Sequence, residues 1–400
     1  MKWDYDVIVV GAGPGGATAS RGCARAGLRT LLIEKERLPR YKVCGGCLSL
    51  KTVRILEFDL GPVVENIVHG AKFTYTLRDP LCIDSQEPIG IMVMREQFDQ
   101  FLVDRSLDAG VELEEGKKVL GARQVGGGIE VEWEGGGRTR CEFLIGADGA
   151  GSVVARSFAL LPPKREELGI GLQSEIPYGQ VAEMYKEDRR RVHLDFGRVP
   201  SGYGWVFPKK EVLSVGVGGI LRGGERGNLQ PYFTGFLKDL KLIRDGRVER
   251  VKGHRLPCFY DETFKLARDN VLLVGDAGYL MDPLTGEGVY YAVRSGMLAA
   301  EAILRSKEKG EGPAAFYNER VRETLLGDLK WAFHISRIIY RFPKISYRTL
   351  KRYPELGTLC AQVLGGQVNY QEFVARVKVR IRDLLEGRLG AKIRKAMANS

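Results

Sequence analysis

The sequence has few cysteines and no long apolar run. Its apolar stretches fall well short of the roughly 20 residues that a membrane-spanning helix needs, so no such helix is predicted. Seven cysteines, an odd number in 400 residues, exclude a fully paired disulfide framework and are typical of a reducing compartment. No signal-like leader precedes the first strand pattern, so the chain is expected to be cytoplasmic.

The chain also lacks internal repeats, low-complexity segments and linkers rich in serine or proline. Its length predicts two or three domains of roughly 150 residues each. Much of the net charge of +11 lies in residues 301–400, which contain 20 lysines and arginines against 10 aspartates and glutamates. A basic segment of this kind suits anionic lipid headgroups, nucleic acid or a phosphorylated substrate, and it is also typical of a solvated helix face.

The order of the predicted elements indicates a dinucleotide-binding unit that is interrupted by a sheet. A strand over residues 5–10 leads through a glycine turn into an alanine-rich helix and then a second strand. Two later apolar runs, at 143–146 and 271–274, each end on glycine or alanine and then aspartate. Short alternating segments between them predict a β-rich unit. The predicted units are the dinucleotide-binding unit at 1–160 completed by 260–305, the β-rich unit at 161–259, and a helical C-terminal region at 306–400.

The glycine turn has the spacing of a phosphate-binding loop. Gly11 permits the tight bend, Gly13 lets the backbone approach a pyrophosphate, and Gly16 lets the helix pack on the strand. The helix N-terminus offers free N–H groups and the positive end of its dipole. Glu34, at the end of the second strand, is placed to accept hydrogen bonds from a ribose. A glycine triplet alone is a weak signal, but strand, helix and acid in register predict a dinucleotide site.

A second motif favours a flavin over a nicotinamide nucleotide. One strand ends at Asp276, and the segment Asp282–Gly288 precedes a helix that starts near Val289. Asp276 can hold hydroxyls on the ribityl or pyrophosphate side, and the helix N-terminus can face the N1 and C2 carbonyl end of the ring. Because reduced flavin is anionic there, the helix dipole favours the reduced state. A structural strand–turn–helix with a capping aspartate is the alternative.

With these motifs, the chain resembles the FAD-dependent enzymes typified by p-hydroxybenzoate hydroxylase. The opening glycine motif, Ile145–Ser152 and Gly275–Asp276 are similar to the three fingerprints of that group and come in the same order. The resemblance implies an α/β fold, with a glutathione-reductase-type FAD-binding Rossmann domain joined to a mostly β substrate domain. It also implies that Arg95, otherwise a helix-start cation, contacts the flavin and that Asp148 braces the cofactor.

Two further stretches narrow the resemblance to the geranylgeranyl reductase family. These stretches are Lys42–Ser49 and Tyr203–Lys209, and with the fingerprints they cover about residues 1–300. Enzymes of that family saturate isoprenoid double bonds in archaeal lipids, in quinone tails and in the phytyl chain of chlorophyll. No separate nicotinamide domain is recognisable, so NADPH would bind only transiently. Beyond Val289, helical character alone supports the resemblance.

Because Gly45 and Gly46 have no side chains, the backbone of their loop can approach a planar ring. Cys44 beside them could face the isoalloxazine ring and the substrate. For Cys44 and Cys47, a redox pair and half of a zinc site are alternatives. A zinc site needs about four ligands, and the chain has only four histidines and no second Cys-x-x-Cys pair. No metal is therefore predicted. A plain buried thiol also fits Cys44.

Tyr203 and Trp205 lie on one face of a predicted strand, opposite Val206. Their flat rings suit a polyprenyl chain lying against the flavin, with ordinary core packing as the alternative. The predicted catalytic residues are Cys44, Tyr203 and Trp205. The predicted cofactor-binding residues are Gly11, Gly13, Gly15, Gly16, Glu34, Lys35, Cys44, Gly45, Gly46, Leu48, Arg95, Val119, Asp148, Asp276, Pro283, Gly286, Gly288 and Val289.

The sequence therefore predicts an FAD-dependent reductase of isoprenoid double bonds. Reduced flavin would supply a hydride and Cys44 or an ordered water a proton, with electrons from NADPH, ferredoxin or a quinol. The alternatives are an aromatic monooxygenase, a halogenase, and a flavoprotein for electron transfer or lipid binding. The segment Tyr203–Pro208 matches the tryptophan motif of halogenases only in part. No nucleic-acid-binding module is recognisable, so no nucleic-acid partner is expected.

The basic C-terminal region also predicts peripheral contact with an anionic membrane, on its inner face, from which a lipid substrate could be drawn. Its alternative is core packing with a solvated face. The apolar helical stripe is Phe373, Val374, Val377, Ile381, Leu384 and Leu385, and the aromatic residues among the basic ones are Trp331, Phe333, Tyr340 and Phe342.

Overall fold

A computed structural model describes residues 3–161, 169–182, 185–220, 228–241, 250–260 and 263–380, together with Arg382. The strands are β1 (Tyr5–Val10), β2 (Thr30–Glu34), β3 (Cys47–Ser49), β4 (Asn66–Val68), β5 (Gly70–Tyr75), β6 (Arg78–Asp84), β7 (Gly90–Met92), β8 (Glu112–Glu115), β9 (Val119–Val125), β10 (Gly128–Trp133), β11 (Arg138–Gly146), β12 (Gly169–Pro177), β13 (Arg191–Phe196), β14 (Gly202–Pro208), β15 (Val212–Ile220), β16 (Lys252–Leu256), β17 (Ala267–Arg268) and β18 (Val271–Leu273). The helices are α1 (Pro14–Arg25), α2 (Leu50–Ile55), α3 (Arg95–Leu107), α4 (Val153–Ser157), α5 (Gln230–Leu240), α6 (Val289–Lys309), α7 (Pro313–Val321), α8 (Gly327–Arg341), α9 (Pro343–Arg352), α10 (Pro354–Leu364) and α11 (370–380).

The first sheet is largely parallel and has the order β17-β18-β11-β1-β2-β8. Strand β1 runs parallel to both β2 and β11, and β11 runs parallel to β18. Both faces of β1 are covered, which explains its near-continuous run of buried apolar residues. The carboxyl ends of β1, β11 and β18 meet at one edge, so the fold brings Gly11, Asp148 and Asp276 together.

Helices α1 and α6 approach each other closely because glycines stand at their contact. A Cβ atom on Gly296 would lie 2.5 Å from the carbonyl oxygen of Gly15, and one on Gly22 would lie 2.7 Å from the Cβ of Ala300. The two helices start at Pro14 and Val289, which both line the same cavity. The packing therefore directs two helix N-termini toward one site.

The second sheet has seven strands in the order β16-β12-β15-β14-β13-β5-β6. Strands β5 and β6 belong to it, although the predicted boundaries place residues 70–84 in the dinucleotide-binding unit. Strand β5 pairs in parallel with β13, about 120 residues later in the chain. Nothing in the local pattern of β5 identifies so distant a partner. Helix α5 covers one face of this sheet, where Phe233 and Phe236 pack with Val206 and Val215.

The C-terminal helices pack over the other face of the seven-stranded sheet. Tyr347 of α9 is buried in a cluster with Phe73 and Val192, and Val363 of α10 packs with Tyr370 of α11. In the part of the chain that the structure describes, no helix is long and apolar enough to cross a bilayer. Of the predicted apolar stripe, Ile381, Leu384 and Leu385 lie outside the described residues.

Candidate functional site

A cavity of about 1570 Å³ lies between the two sheets and the C-terminal helices. At one end it is bounded by the carboxyl edge of the parallel sheet; we call this end the dinucleotide part. At the other end, mostly apolar side chains from β5, β13 and α8–α11 line the cavity; we call this the apolar part. Residues of the apolar part include Phe73, Leu194, Phe196, Ile339, Val363 and Val377.

The cavity brings most of the predicted site residues together. Gly16 and Leu48 are the exceptions, and neither lines it. Leu48 is buried in the core beside β7, because strand alternation directs it away from the cavity that its neighbours Cys47 and Ser49 line. The predicted residues that line the cavity are Gly11, Gly13, Gly15, Glu34, Lys35, Cys44, Gly45, Gly46, Arg95, Val119, Asp148, Tyr203, Trp205, Asp276, Pro283, Gly286, Gly288 and Val289.

The glycine turn presents bare backbone to the dinucleotide part. Gly11 has φ +102°, a conformation that favours glycine, and a Cβ on Gly16 would lie 1.9 Å from the Gly11 carbonyl oxygen. A Cβ on Gly13 would meet only the Arg40 guanidinium, at 3.8 Å. The Glu34 carboxylate accepts the Ala12 N–H at 2.8 Å and so lies beside the turn. This arrangement fits the phosphates and ribose of a dinucleotide.

A buried network of ion pairs borders the dinucleotide part of the cavity. Asp99 accepts two hydrogen bonds from Arg95, at 2.8 and 3.0 Å, and one from Arg40 at 3.1 Å. Burial lowers the pKa of Arg95, but the Asp99 carboxylate and the nearby Cys44 sulfur outweigh it, so the pKa is raised overall. Sequence reasoning missed Arg40 and Asp99. The i, i+4 spacing of Arg95 and Asp99 on one helix was the available signal.

The two acidic residues of the later fingerprints play different parts. Asp148 accepts hydrogen bonds from the Ser152 hydroxyl and the Val153 N–H, both at 2.5 Å, so its carboxylate caps the start of α4. Among the described residues, the Asp276 carboxylate caps no helix in this way, and it lines the cavity near Lys42 and Arg95. Burial raises the pKa of the Asp276 carboxyl, and those two cations partly offset the shift. Asp276 is therefore the acid available to a cofactor hydroxyl.

The loop that carries Cys44 is shaped by aromatic neighbours. A Cβ on Gly45 would lie 2.8 Å from the Phe207 ring, and Gly46, at φ +78°, would place one 2.2 Å from the Val93 carbonyl oxygen. The Gly46 N–H donates to the Cys44 sulfur at 3.4 Å. Cys44 and Cys47 form no disulfide, and burial, reinforced by Glu287, raises the pKa of Cys47 to about 12.

The Trp205 indole packs against glycines of the neighbouring strand, β15. A Cβ on Gly216 would lie 2.1 Å from the indole, and one on Gly218 would lie 3.4 Å from it. The rings of Tyr203 and Trp205 have centroids 6.2 Å apart, and Phe207 continues the row at 6.3 Å. The alternating glycines of β15 were the sequence signal for this packing of the indole, and sequence reasoning missed them.

Three tyrosines from three separate elements hold the loop Asp282–Gly288. Tyr203 of β14 donates to the carbonyl oxygen of Thr285, Tyr340 of α8 donates to that of Leu284 at 2.5 Å, and Tyr370 of α11 donates to Asp282 at 2.6 Å. Because the Tyr203 hydroxyl is engaged in this bond and burial raises its pKa, the side chain positions the loop and is poorly suited to release a proton.

Replacing Tyr370 with phenylalanine is expected to weaken FAD binding while the fold persists. The change leaves a buried oxygen of Asp282 without its donor, at a cost of about 1–3 kcal/mol. The free energy of urea unfolding and a fluorescence titration with FAD measure the effect. Tyr353→Phe is the matched control, since no hydrogen bond of the Tyr353 hydroxyl is seen among the described residues. Equal FAD affinity in both variants would contradict the assigned role.

Comparison with known proteins identifies the family. An FAD binding domain model matches residues 4–170. The chain is 31% identical over 357 residues to the chloroplastic geranylgeranyl diphosphate reductase of Nicotiana tabacum, covering 84% of this chain and 75% of that one. The chain belongs to the geranylgeranyl reductase family. It is also 30% identical over 356 residues to the digeranylgeranylglycerophospholipid reductase of Methanococcus vannielii, covering 84% and 88% of the two chains.

A comparison with solved structures agrees with the family assignment. A geranylgeranyl bacteriochlorophyll reductase-like protein from Thermoplasma acidophilum superposes with a TM-score of 0.77 at 25% identity, over 94% of this chain and 98% of that one. The predicted α/β class with an FAD-binding domain and helical C-terminal region is confirmed, as is FAD as the cofactor. The chain is thus an FAD-dependent oxidoreductase.

Proposed function

We propose that this protein saturates carbon–carbon double bonds in an isoprenoid chain. The observation that carries the proposal is the continuity of one cavity, whose dinucleotide part fits FAD and whose apolar part fits a long hydrocarbon. The relatives from Nicotiana tabacum and Methanococcus vannielii are named as reductases of geranylgeranyl compounds, which supports the same substrate class.

The residues of the chain hold the two reactants. The glycine turn, Glu34 and Arg40 would bind the phosphates and ribose of FAD, which supplies a hydride when bound and reduced. The apolar part would bind the polyprenyl chain by removing carbon surface from water, worth about 25 cal/mol per Å². An isolated alkene has no carbonyl for an acid to polarise. Catalysis would therefore rest mainly on positioning the double bond beside the cofactor.

Two tyrosine hydroxyls in the apolar part are engaged in hydrogen bonds with the backbone. The Tyr340 hydroxyl donates to a backbone carbonyl, and that of Tyr347 donates to the carbonyl oxygen of Asp79. Cys44 lines the cavity beside the buried Arg95 guanidinium. We assign the release of the proton to Cys44 or to a water that it holds, with the Trp205 indole forming the adjacent wall.

An anaerobic single-turnover experiment tests this function. Dithionite-reduced protein mixed with geranylgeranyl diphosphate should regain the oxidised flavin spectrum and yield a product heavier by two hydrogen atoms per saturated bond. Cys44→Ala should slow this step relative to wild type at equal FAD content. Rapid NADPH consumption that depends on oxygen and an aromatic compound, with no alkene reduction, would instead identify the monooxygenase alternative.

We also propose that the protein takes its substrate from an anionic membrane surface. Ile338, Phe342 and Ile345 are exposed by 63%, 52% and 63%, and all three line the edge of the apolar part. Arg341 and Lys344 are exposed beside them and suit anionic headgroups. Phe342 was among the aromatics predicted for this contact. The others, Trp331, Phe333 and Tyr340, pack at least partly inside the protein.

Replacing both Ile338 and Ile345 with glutamate should abolish binding to vesicles of phosphatidylglycerol. The change removes two apolar side chains and adds negative charge to the contact surface. Co-sedimentation with these vesicles and with neutral phosphatidylcholine vesicles measures the effect. Ile67→Glu, at an exposed apolar residue outside the cavity lining, is the matched control. Absence of binding to both vesicle types by the wild-type protein would rule out the membrane contact.

A further inference from the structure

A largely buried lysine of helix α2 pairs with a glutamate in the loop before α6. The Lys51 ammonium lies 2.6 Å from the Glu287 carboxylate, and little of either side chain is exposed. Glu287 stands between Gly286 and Gly288, and all three residues line the cavity. Lys51 lies behind the loop, outside the lining. The pair takes no part in the FAD contacts or the tyrosine hydrogen bonds described above.

Two hydroxyl groups hold the Glu287 carboxylate in place. The Ser49 hydroxyl donates to Oε1 of Glu287, and the Thr52 hydroxyl donates to the same oxygen at 3.3 Å. The other oxygen, Oε2, faces the Lys51 ammonium. Ser49 is the last residue of β3, and Lys51 and Thr52 belong to α2, which follows directly. One short segment of the chain therefore fixes both oxygens of the carboxylate.

The Lys51 ammonium is surrounded by aromatic rings and carboxylates. It lies 4.5 Å from the centre of the Tyr290 ring and 5.0 Å from that of Tyr291, distances at which a cation is attracted to the ring face. Burial lowers the pKa of Lys51, but the carboxylates of Glu287 and Asp282 outweigh burial, so the pKa is raised overall. Lys51 is therefore charged at neutral pH and offsets the charge of Glu287.

The charge of Glu287 opposes the dipole of the helix that follows it. Helix α6 begins at Val289, and its N-terminus carries partial positive charge that stabilises an anion in the cavity. A carboxylate two residues earlier adds negative charge at the same place, and water screens it little because the side chain is largely buried. The oxidised flavin ring is neutral, whereas the reduced ring is anionic. The net charge of this pair therefore acts mainly on the reduced state.

We propose that the Lys51–Glu287 pair sets the midpoint potential of the bound flavin. With both side chains present, the N-terminus of α6 acts on the reduced ring without an opposing charge. Loss of the ammonium alone would leave a negative charge near the anionic ring and lower the potential. Loss of the carboxylate alone would leave a positive charge and raise the potential.

An anaerobic redox titration of the FAD-loaded protein against a reference dye tests this proposal. Lys51→Met should shift the equilibrium between the two flavin states about tenfold toward the oxidised form, which is about 30 mV for a two-electron couple. Glu287→Gln should shift it about tenfold toward the reduced form, and the double variant should be close to wild type. Lys307→Met is the matched control, because Lys307 pairs with Glu142 at 2.5 Å outside the cavity lining. Its potential should be unchanged.

The opposite signs distinguish an effect of charge from an effect of structure. A loop that is merely loosened would shift the potential of both single variants in the same direction. Shifts of the same sign, or unchanged potentials in both variants, would overturn the proposal.

Glu287→Gln decides the question if Lys51→Met does not retain FAD. Glutamine preserves the shape of the side chain, and Asp282 and Asp328 still compensate Lys51, so this variant is expected to fold. An unchanged or lowered potential in Glu287→Gln would then overturn the proposal. The titration needs no alkene, so its result does not depend on whether the protein reduces an isoprenoid chain.

Discussion

Replacing Gly16 with alanine is expected to lower FAD affinity by about 100-fold or more, so that the purified protein is nearly colourless. The new Cβ would lie 1.9 Å from the backbone carbonyl oxygen of Gly11, far inside van der Waals contact. Backbone atoms cannot swing aside as a side chain can, so helix α1 must move away from strand β1. Overpacking of this kind costs about 1–3 kcal/mol in stability, and it displaces the N–H groups that face the phosphates.

The ratio of bound flavin to protein and the Kd from FAD titration measure this effect. Gly235→Ala is the matched control, because Gly235 lies within helix α5 and its Cβ would have no atom within 4 Å. That variant should keep full FAD content and be at least as stable as wild type, since alanine is the better helix former. Normal FAD binding by Gly16→Ala would show that α1 can shift without disturbing the phosphate loop.

Local patterns were sufficient to predict the dinucleotide part of the site. The strand β1, the glycine turn and Glu34 are close in sequence, and their geometry follows from a single strand–helix–strand unit. Asp276 was also predictable, because it follows an apolar strand, β18, that lies in the same parallel sheet as β1. These residues need no knowledge of distant contacts beyond the parallel order of the sheet.

The remaining features depend on pairings between distant segments. Strand β5 joins the second sheet through β13, and the Trp205 indole needs Gly216 on the next strand. Tyr370 reaches Asp282 across 88 positions. Neither the strand period nor the helix period of a single segment carries such information. The role of Tyr203 in holding the 282–288 loop is for this reason visible only in the structure.

The C-terminal helices hold the loop Asp282–Gly288 and also line the apolar part of the cavity. Tyr340 and Tyr370 line the cavity, and their hydroxyls hold the loop that precedes α6. At the other end of that loop, the Lys51 ammonium lies 2.6 Å from the Glu287 carboxylate. A substrate chain that packs against α8 and α11 would therefore contact the same tyrosines that position the N-terminus of α6. Under the proposed function, substrate binding would in this way affect the loop that precedes α6.

Replacing Arg95 with methionine is expected to destabilise the protein by about 1–3 kcal/mol, because the buried Asp99 carboxylate loses two of its hydrogen bonds while its ion pair with Arg40 remains. Asp99 would lose two of its hydrogen bonds and keep only the one from Arg40. Since Arg95 also lies beside Cys44, FAD binding should weaken together with stability. Urea unfolding followed by circular dichroism, with and without added FAD, measures both effects.

The size of this effect distinguishes a buried pair from a surface pair. Arg138 and Glu132 form a pair at 3.3 Å with both side chains about half exposed, and Arg138→Met should cost no more than about 1 kcal/mol. Adding Asp99→Leu to Arg95→Met should recover part of the lost stability, because the buried carboxylate that has lost two hydrogen-bond donors is then gone. If the double variant is less stable than Arg95→Met, the ion pair of Asp99 with Arg40 matters more for stability than its pair with Arg95. The network would then support the glycine turn more than it supports Arg95.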